Sequence, residues 1–150
     1  MSEPIKFPLG HHVAEFPLDR QYSRNHMWAL SRGDVFRCGF TAYAVHLMQD
    51  VYFLEWVVEA GTTLQHRQEI GAIESKKAES ALYAPMAGKL TQFNQSLLSD
   101  PSYINLSPYD QGWLFDIQAQ DPQLLSAHDY RHHLVDVWQI TSPKLKGRLS

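Results

Sequence analysis

The sequence predicts a mainly β fold, an antiparallel sandwich or small barrel, with short helices and a C-terminal helix. Between Tyr22 and about Ile117 the chain consists of short apolar or alternating runs, separated by Gly, Asp, Asn or Pro. This pattern is typical of antiparallel sheets. With 150 residues, 44% of them hydrophobic, the chain is long enough for one domain with a buried core. The predicted strands lie in the runs HMWAL, VFRCGF, VYFLEWV, EIGAIES, ALYAPM, GKLTQF and GWLFDIQ.

The first twenty residues have a different character from this central region. Residues 1–20 hold three of the eight prolines and show no clear period. We therefore predict an extended N-terminal arm over residues 1–20, a domain over residues 21–138 and a C-terminal tail over residues 139–150.

A short helix is predicted after the second strand of the central region. Thr41 precedes AYAVHLMQ and can accept a hydrogen bond from the first turn of a helix there. Tyr43, Leu47 and Met48 would then be available for its inner face. Residues 94–110 predict one helical turn and a Pro-rich loop.

The C-terminal helix is predicted to begin at Pro122 and to run to about Leu134. Asp121 before Pro122 is typical of an N-cap followed by proline in the first turn. On such a helix the side chains near one another would be Leu124, Leu125, His128, His132 and Val135. The histidine pair lacks a third ligand and a metalloprotease spacing, so we predict no metal site.

Composition and charge exclude several classes of function. The net charge of −3, with no basic stripe, argues against a nucleic-acid partner. Apolar runs stay well below the roughly 20 residues that span a bilayer, so we expect no membrane span. Because the N-terminal residues lack the pattern of a secretory signal and Cys38 is the single cysteine, we expect a cytoplasmic protein. No catalytic triad or phosphate loop stands out, so we do not expect an enzyme.

The most informative segment is the polar stretch from Glu74 to Ser80. It lies between the strand-like runs GAI and ALYAP, as an exposed hairpin tip would. A lysine at such a tip faces solvent on a rigid base, and a long acyl group on its amine would move while the anchor stayed fixed. A carrier needs this arrangement, because a tethered group reaches a high effective concentration at each partner. Taken alone, the segment is more typical of a charged turn that aids solubility.

The surroundings of this hairpin resemble a known family. The run IESKKAESALYAPMAGKL is similar to the lipoyl-lysine hairpin of the glycine cleavage system H protein family, with its Glu-Ser-Val-Lys-Ala and Tyr-x-Pro-x-x-Gly patterns. The matching hairpin residues are Glu74, Ser75, Lys77, Ala78, Ser80, Tyr83, Pro85 and Gly88. A second match to the family, in NLSPYDQGW, comprises Asn105, Pro108, Tyr109, Gly112 and Trp113. Together with HMWAL, GDVFRCGFTAYA and GTTLQ, the resemblance covers residues 22–130 in order.

This resemblance implies a fold and a cofactor. The fold would be a barrel-sandwich hybrid of two small antiparallel sheets, with the lysine on a hairpin tip. Lipoate would be attached covalently to Lys77 by a ligase or transferase, on an attachment hairpin formed with Glu74, Ser75, Ala78 and Ser80. Lys76 stands where the family has a small apolar residue. Biotin carriers share the architecture, but Lys77 lacks the methionine neighbours of their modified lysine.

The sequence departs from the family where the loaded arm docks. The family has one acid in a His-Glu-Trp run and another four residues after the lipoyl lysine, and these acids stabilise a positively charged aminomethyl cargo. Here the two positions hold Met27 and Ala81, which with His26 and Phe40 are our candidates for the docking cleft. Burying an ammonium group without a paired charge is costly.

The missing acids lead to three hypotheses about function. Our first is a carrier of sulfur intermediates for a heterodisulfide-reductase-like complex, as in divergent members of the family. The alternative is a glycine cleavage H protein that serves the P, T and L proteins, with Glu79 in place of the missing acid. The third is an unmodified adaptor that binds partners through its surface.

Overall fold

The computed structural model describes residues 3–149, and it describes side chains as far as residue 138. Short strands fill the central region, as predicted. The strands are β1 (Ile5–Leu9), β2 (His12–Phe16), β3 (Gln21–Tyr22), β4 (Met27–Arg32), β5 (Val35–Phe40), β6 (Val51–Trp56), β7 (Thr63–Leu64), β8 (Glu69–Ser75), β9 (Glu79–Tyr83), β10 (Gly88–Phe93) and β11 (Phe115–Gln118). The helices are α1 (Ala42–Met48), α2 (Ser96–Ser99), α3 (Tyr103–Leu106) and α4 (Ala127–Leu149).

Two antiparallel sheets form the body of the molecule. The larger has six strands in the order β3-β4-β5-β11-β10-β7, and the smaller has three in the order β6-β8-β9. Apolar side chains from both sheets share one core, in which Ile70, Leu90, Phe115 and Ile117 are fully buried. Each such side chain contributes about 1.5–3 kcal/mol relative to an exposed position. The predicted barrel-sandwich hybrid is confirmed.

The segment predicted as an extended N-terminal arm forms a hairpin instead. Strands β1 and β2 pair antiparallel, and Gly10 takes a φ of +65° in the two-residue loop between them. Phe7 and Phe16 are buried on the inner side of this hairpin. Phe16 contacts Tyr130 of α4 with ring centroids 4.9 Å apart, and Phe7 contacts Tyr43 of α1 at 6.2 Å. The alternation of apolar residues around a glycine turn therefore overrides the proline content.

The predicted N-cap of α1 is confirmed, but one residue of its predicted inner face is exposed. Thr41 Oγ1 accepts a hydrogen bond from the Ala44 N–H at 3.3 Å, so Thr41 caps the helix as predicted. Tyr43 and Ala44 are buried, but Leu47 is 38% exposed and does not belong to the inner face. The predicted helical turn between residues 94 and 110 is in fact two short helices, α2 and α3.

The C-terminal helix begins at Ala127, five residues later than predicted. Leu125 exchanges two backbone hydrogen bonds with Tyr22, of 2.7 and 2.8 Å, which holds the preceding residues extended along β3. Ser126 then caps the helix by accepting from the Asp129 N–H at 3.1 Å. The helix continues past the predicted end to Leu149; of the predicted tail, Ser150 and the side chains from residue 139 onward lie outside the described part of the chain. No helix among the described residues is both long and apolar enough to cross a bilayer.

Candidate functional site

The connection between β8 and β9 is a tight turn with two lysines at its tip. Glu74 pairs with Glu79, and the Ser75 N–H donates to the Ala78 carbonyl oxygen at 2.9 Å. The Ser75 hydroxyl adds two contacts with the Ala78 backbone, 3.1 Å to its oxygen and 3.3 Å from its N–H. Ser75 is buried, whereas Lys76 and Lys77 are exposed. The local sequence thus builds a closed turn that directs both lysines to solvent.

The tip is also fixed to the neighbouring strand. The Lys76 N–H donates to the carbonyl oxygen of Asp50, just before β6, at 2.8 Å. Asn105 holds the two residues next to Asp50: its Oδ1 accepts from the Val51 N–H at 2.9 Å and its Nδ2 donates to the Gln49 carbonyl oxygen at 2.6 Å. Asp50 carries no sequence signal, because its backbone carbonyl makes the contact. Asn105 belongs to the second family-like motif, and this contact gives it a positioning role for the tip.

Next to the lysines, the outer face of the three-stranded sheet carries small and acidic side chains. Ala72 pairs with Ala81, and Glu74 with Glu79 two residues along, so these four side chains share one face. Glu79 is exposed and Ala81 is half-buried. The opposite face, which includes Ile73, is buried in the core. Carboxylates therefore flank the predicted attachment site, although not at the two family positions.

The predicted docking residues do not share one open surface. Met27 and Phe40 lie opposite each other on β4 and β5 and are 2% and 5% exposed, within the core. Ala81 lies on the outer face of the smaller sheet. The side chain of Met27 is thus a packing element, and a role for these residues in docking an arm stays a prediction.

His26 belongs to a hydrogen-bonded cluster that joins β4 to α4. Its Nδ1 lies 2.9 Å from the Tyr130 hydroxyl, which lies 2.9 Å from Thr41 Oγ1. Burial lowers the pKa of His26 to about 4, and nearby His133 disfavours a second positive charge. The imidazole is therefore neutral at pH 7, and its hydrogen bond to Tyr130 connects the start of β4 to α4.

We expect His26 to make the protein sensitive to acid. The pKa of His26 is about 4 in the folded protein and 6.5 in the unfolded chain. Between these pH values the unfolded state binds more protons than the folded state, so the free energy of unfolding falls as the pH drops. From pH 7 to 5 the loss is about 2 kcal/mol. Asparagine tolerates the left-handed φ of +71° at this position. In urea denaturation, the free energy of unfolding of His26→Asn should therefore fall by about 2 kcal/mol less than that of the wild type between pH 7 and pH 5. Identical pH dependence in the two proteins would contradict this assignment.

Comparison with known proteins gives a consistent result. The profile of the glycine cleavage H-protein family matches residues 20–137. The glycine cleavage system H protein of Rubrobacter xylanophilus is 40% identical over 123 residues, covering 81% of this chain and 97% of that protein. An H protein of Thermus thermophilus is 35% identical over 124 residues, with 80% and 96% covered. A crystal structure of the Mycobacterium marinum H protein has a TM-score of 0.69 at 34% identity, covering 77% of this chain and 95% of that one.

Proposed function

The chain belongs to the glycine cleavage H-protein family, and from this premise we propose that Lys77 holds its lipoyl group and passes a cargo between partner proteins. Members of this family are carriers with lipoate bound covalently to a lysine, so lipoate is the cofactor of this protein. The observation that carries the assignment to Lys77 is its exposure on a closed turn, at the spacing of the family motif. The residues present fit the group, since residues 76–80 are all exposed and leave the Lys77 amine open to solvent.

Ser75 and the backbone of Lys76 have separate parts in this function. Ser75 closes the turn, and the bond from Lys76 to Asp50 fixes its base, so the anchor stays still while the arm moves. Attachment by a ligase or transferase converts the Lys77 ammonium into a neutral amide. Once bound, the lipoyl group supplies thiol–disulfide chemistry through its dithiolane ring. The protein contributes position and reach.

For the cargo, we propose the aminomethyl group of glycine, carried from the P protein to the T protein of glycine cleavage, with the L protein as the third partner of the arm. The names of the relatives favour this reading over a sulfur cargo. An aminomethyl group carries a positive charge that needs a carboxylate beside it. Glu79 is the candidate for that role, because it projects from the same face of β9 as Ala81 and is exposed next to the tip.

Glycine decarboxylation with purified P, T and L proteins tests this cargo. Lipoylated wild-type protein should stimulate turnover about tenfold or more over the Lys77→Arg variant, because only a tethered arm raises the effective concentration of the cargo. Glu79→Gln, which keeps the size of the side chain, should lower the stimulation without lowering lipoylation. A fully lipoylated protein that gives no stimulation would exclude the glycine reading.

A sulfur cargo is the second candidate, and Met27 and Ala81 are the observation that favours it. Neither side chain carries a charge, and Met27 lies in the core, so a glutamate at that position would be buried. An uncharged or anionic cargo needs no carboxylate partner. The predicted partner would then be a heterodisulfide-reductase-like complex, and its activity should depend on lipoylated Lys77 while glycine decarboxylation does not respond.

A further inference from the structure

A cavity of about 680 Å³ lies beside the start of β4, away from the lysine tip. Three parts of the chain supply the arginines and histidines of its lining: Arg24 before β4, His66 and Arg67 before β8, and His133 on α4. We propose that this cavity is a binding site for a small oxyanion or for a ligand with a carboxylate, phosphate or sulfur oxyanion group. The site goes beyond the carrier function proposed above.

The charge of the lining is opposite to that of the whole protein. Two guanidinium groups and two imidazoles line the cavity without a lining carboxylate, although the chain has a net charge of −3. Within the described residues, neither Arg24 nor Arg67 lies within salt-bridge distance of an acid. Arginine stays charged at all relevant pH values, and its planar fork matches two oxygens of an oxyanion. Both cations are therefore available to a ligand.

The loops that carry the arginines are held in place by one short segment of chain. Asn25 Nδ2 donates to the Tyr83 carbonyl oxygen at 3.0 Å. The Arg67 N–H donates to the Ala84 oxygen at 3.0 Å, and the Ala84 N–H donates to the Gln68 oxygen at 2.8 Å. The two loops thus sit on consecutive residues of the same strand end. A ligand entering between them does not have to order either backbone, which lowers the cost of binding.

The backbone of Arg67 carries strain in this position. Its φ is +70°, in the left-handed region that glycine or asparagine occupies more easily. A non-glycine residue with this φ persists only where the surroundings fix it, often beside a ligand. The bond to Ala84 fixes it here. The volume of the cavity also falls in the range of about 300–1,000 Å³ that small-molecule sites occupy.

Anion titration of the protein without its lipoyl group tests the site. Lys77→Arg protein, labelled with ¹⁵N, is titrated with sodium sulfate and with inorganic phosphate, and sodium chloride at matched ionic strength serves as the reference. We expect saturable shifts in the amides of residues 24–25 and 66–68, with a dissociation constant near 1 mM, about −4 kcal/mol. Arg24→Gln/Arg67→Gln should weaken binding tenfold or more. The control Arg32→Gln, at an exposed arginine outside the lining, should bind like the parent.

Two results would overturn the proposal: shifts no larger than those with chloride, or equal binding by the double variant. The lipoylated wild-type protein separates two sources of the anion. Sulfate binding that persists after lipoylation and cargo loading assigns the site to a free anion. Sulfate binding that weakens only after loading assigns it to the end of the carried group. Intact-mass analysis of Lys77 reports on the carrier function independently, so failure of one proposal is distinguishable from failure of the other.

Discussion

Replacing Lys77 with arginine is expected to abolish lipoylation, whereas Lys76→Arg leaves it complete. Both lysines are exposed on the same turn, so exposure does not choose between them. The family spacing selects Lys77, and Lys76 is additionally held through its backbone N–H by Asp50. Arginine keeps the charge and length of the side chain but remains protonated, so its guanidinium does not form the amide. Intact mass after expression with a lipoate ligase and lipoate gives the result directly.

Lys76→Arg is the matched control for Lys77→Arg. Each keeps the same positive charge at the tip, so a difference in mass arises from the modified position alone. A lipoyl increment on the Lys77→Arg protein would show that the assignment is wrong. A wild-type protein that gains no increment from an active ligase would favour the third hypothesis, an unmodified adaptor.

Gly71→Ala is expected to destabilise the protein by about 3 kcal/mol. A Cβ on Gly71 would lie 2.4 Å from the Glu55 carbonyl oxygen and 2.9 Å from the ring of Trp56. The oxygen belongs to the strand that pairs with β8, so it cannot retreat without loss of that pairing. Urea denaturation of the unmodified protein measures the change, and slower lipoylation should accompany it because the same sheet carries the tip.

Gly33→Ala is the matched control for this substitution. A Cβ there meets nothing within 4 Å, and the φ of +71° leaves only the backbone cost of about 1–2 kcal/mol. If both variants lose the same stability, steric contact with β6 is not the reason for glycine at position 71.

Much of the fold was predictable because the strands are short and well punctuated. The hairpin around Lys77 follows from polar residues between two apolar runs, and the cap at Thr41 follows from local chemistry. The start of α4 was not predictable, because Asp121 and Pro122 satisfy the local rules for a helix start. Two hydrogen bonds between Leu125 and Tyr22 decide the matter, and they join segments that are distant in sequence.

Part of the candidate site was likewise predictable from the sequence, and part of it depends on packing. The motif identifies Lys77 and Ser75 without a structure. The burial of Met27 depends on how two sheets pack, so matching it to a family position did not reveal that its side chain faces the core. The cavity was missed because Arg24, Arg67 and His133 come from three separate segments and form no motif in the sequence.

The order of strands in the larger sheet also has a consequence for synthesis of the protein. β11 lies between β5 and β10, with Phe115 opposite Cys38, so this sheet stays open until the chain has left the ribosome beyond Gln118. The smaller sheet uses only residues 51–83, and its pairings are local. Local contacts form faster than distant ones. We therefore expect the lysine turn to be assembled early, and closure of the larger sheet to be the slow step of folding.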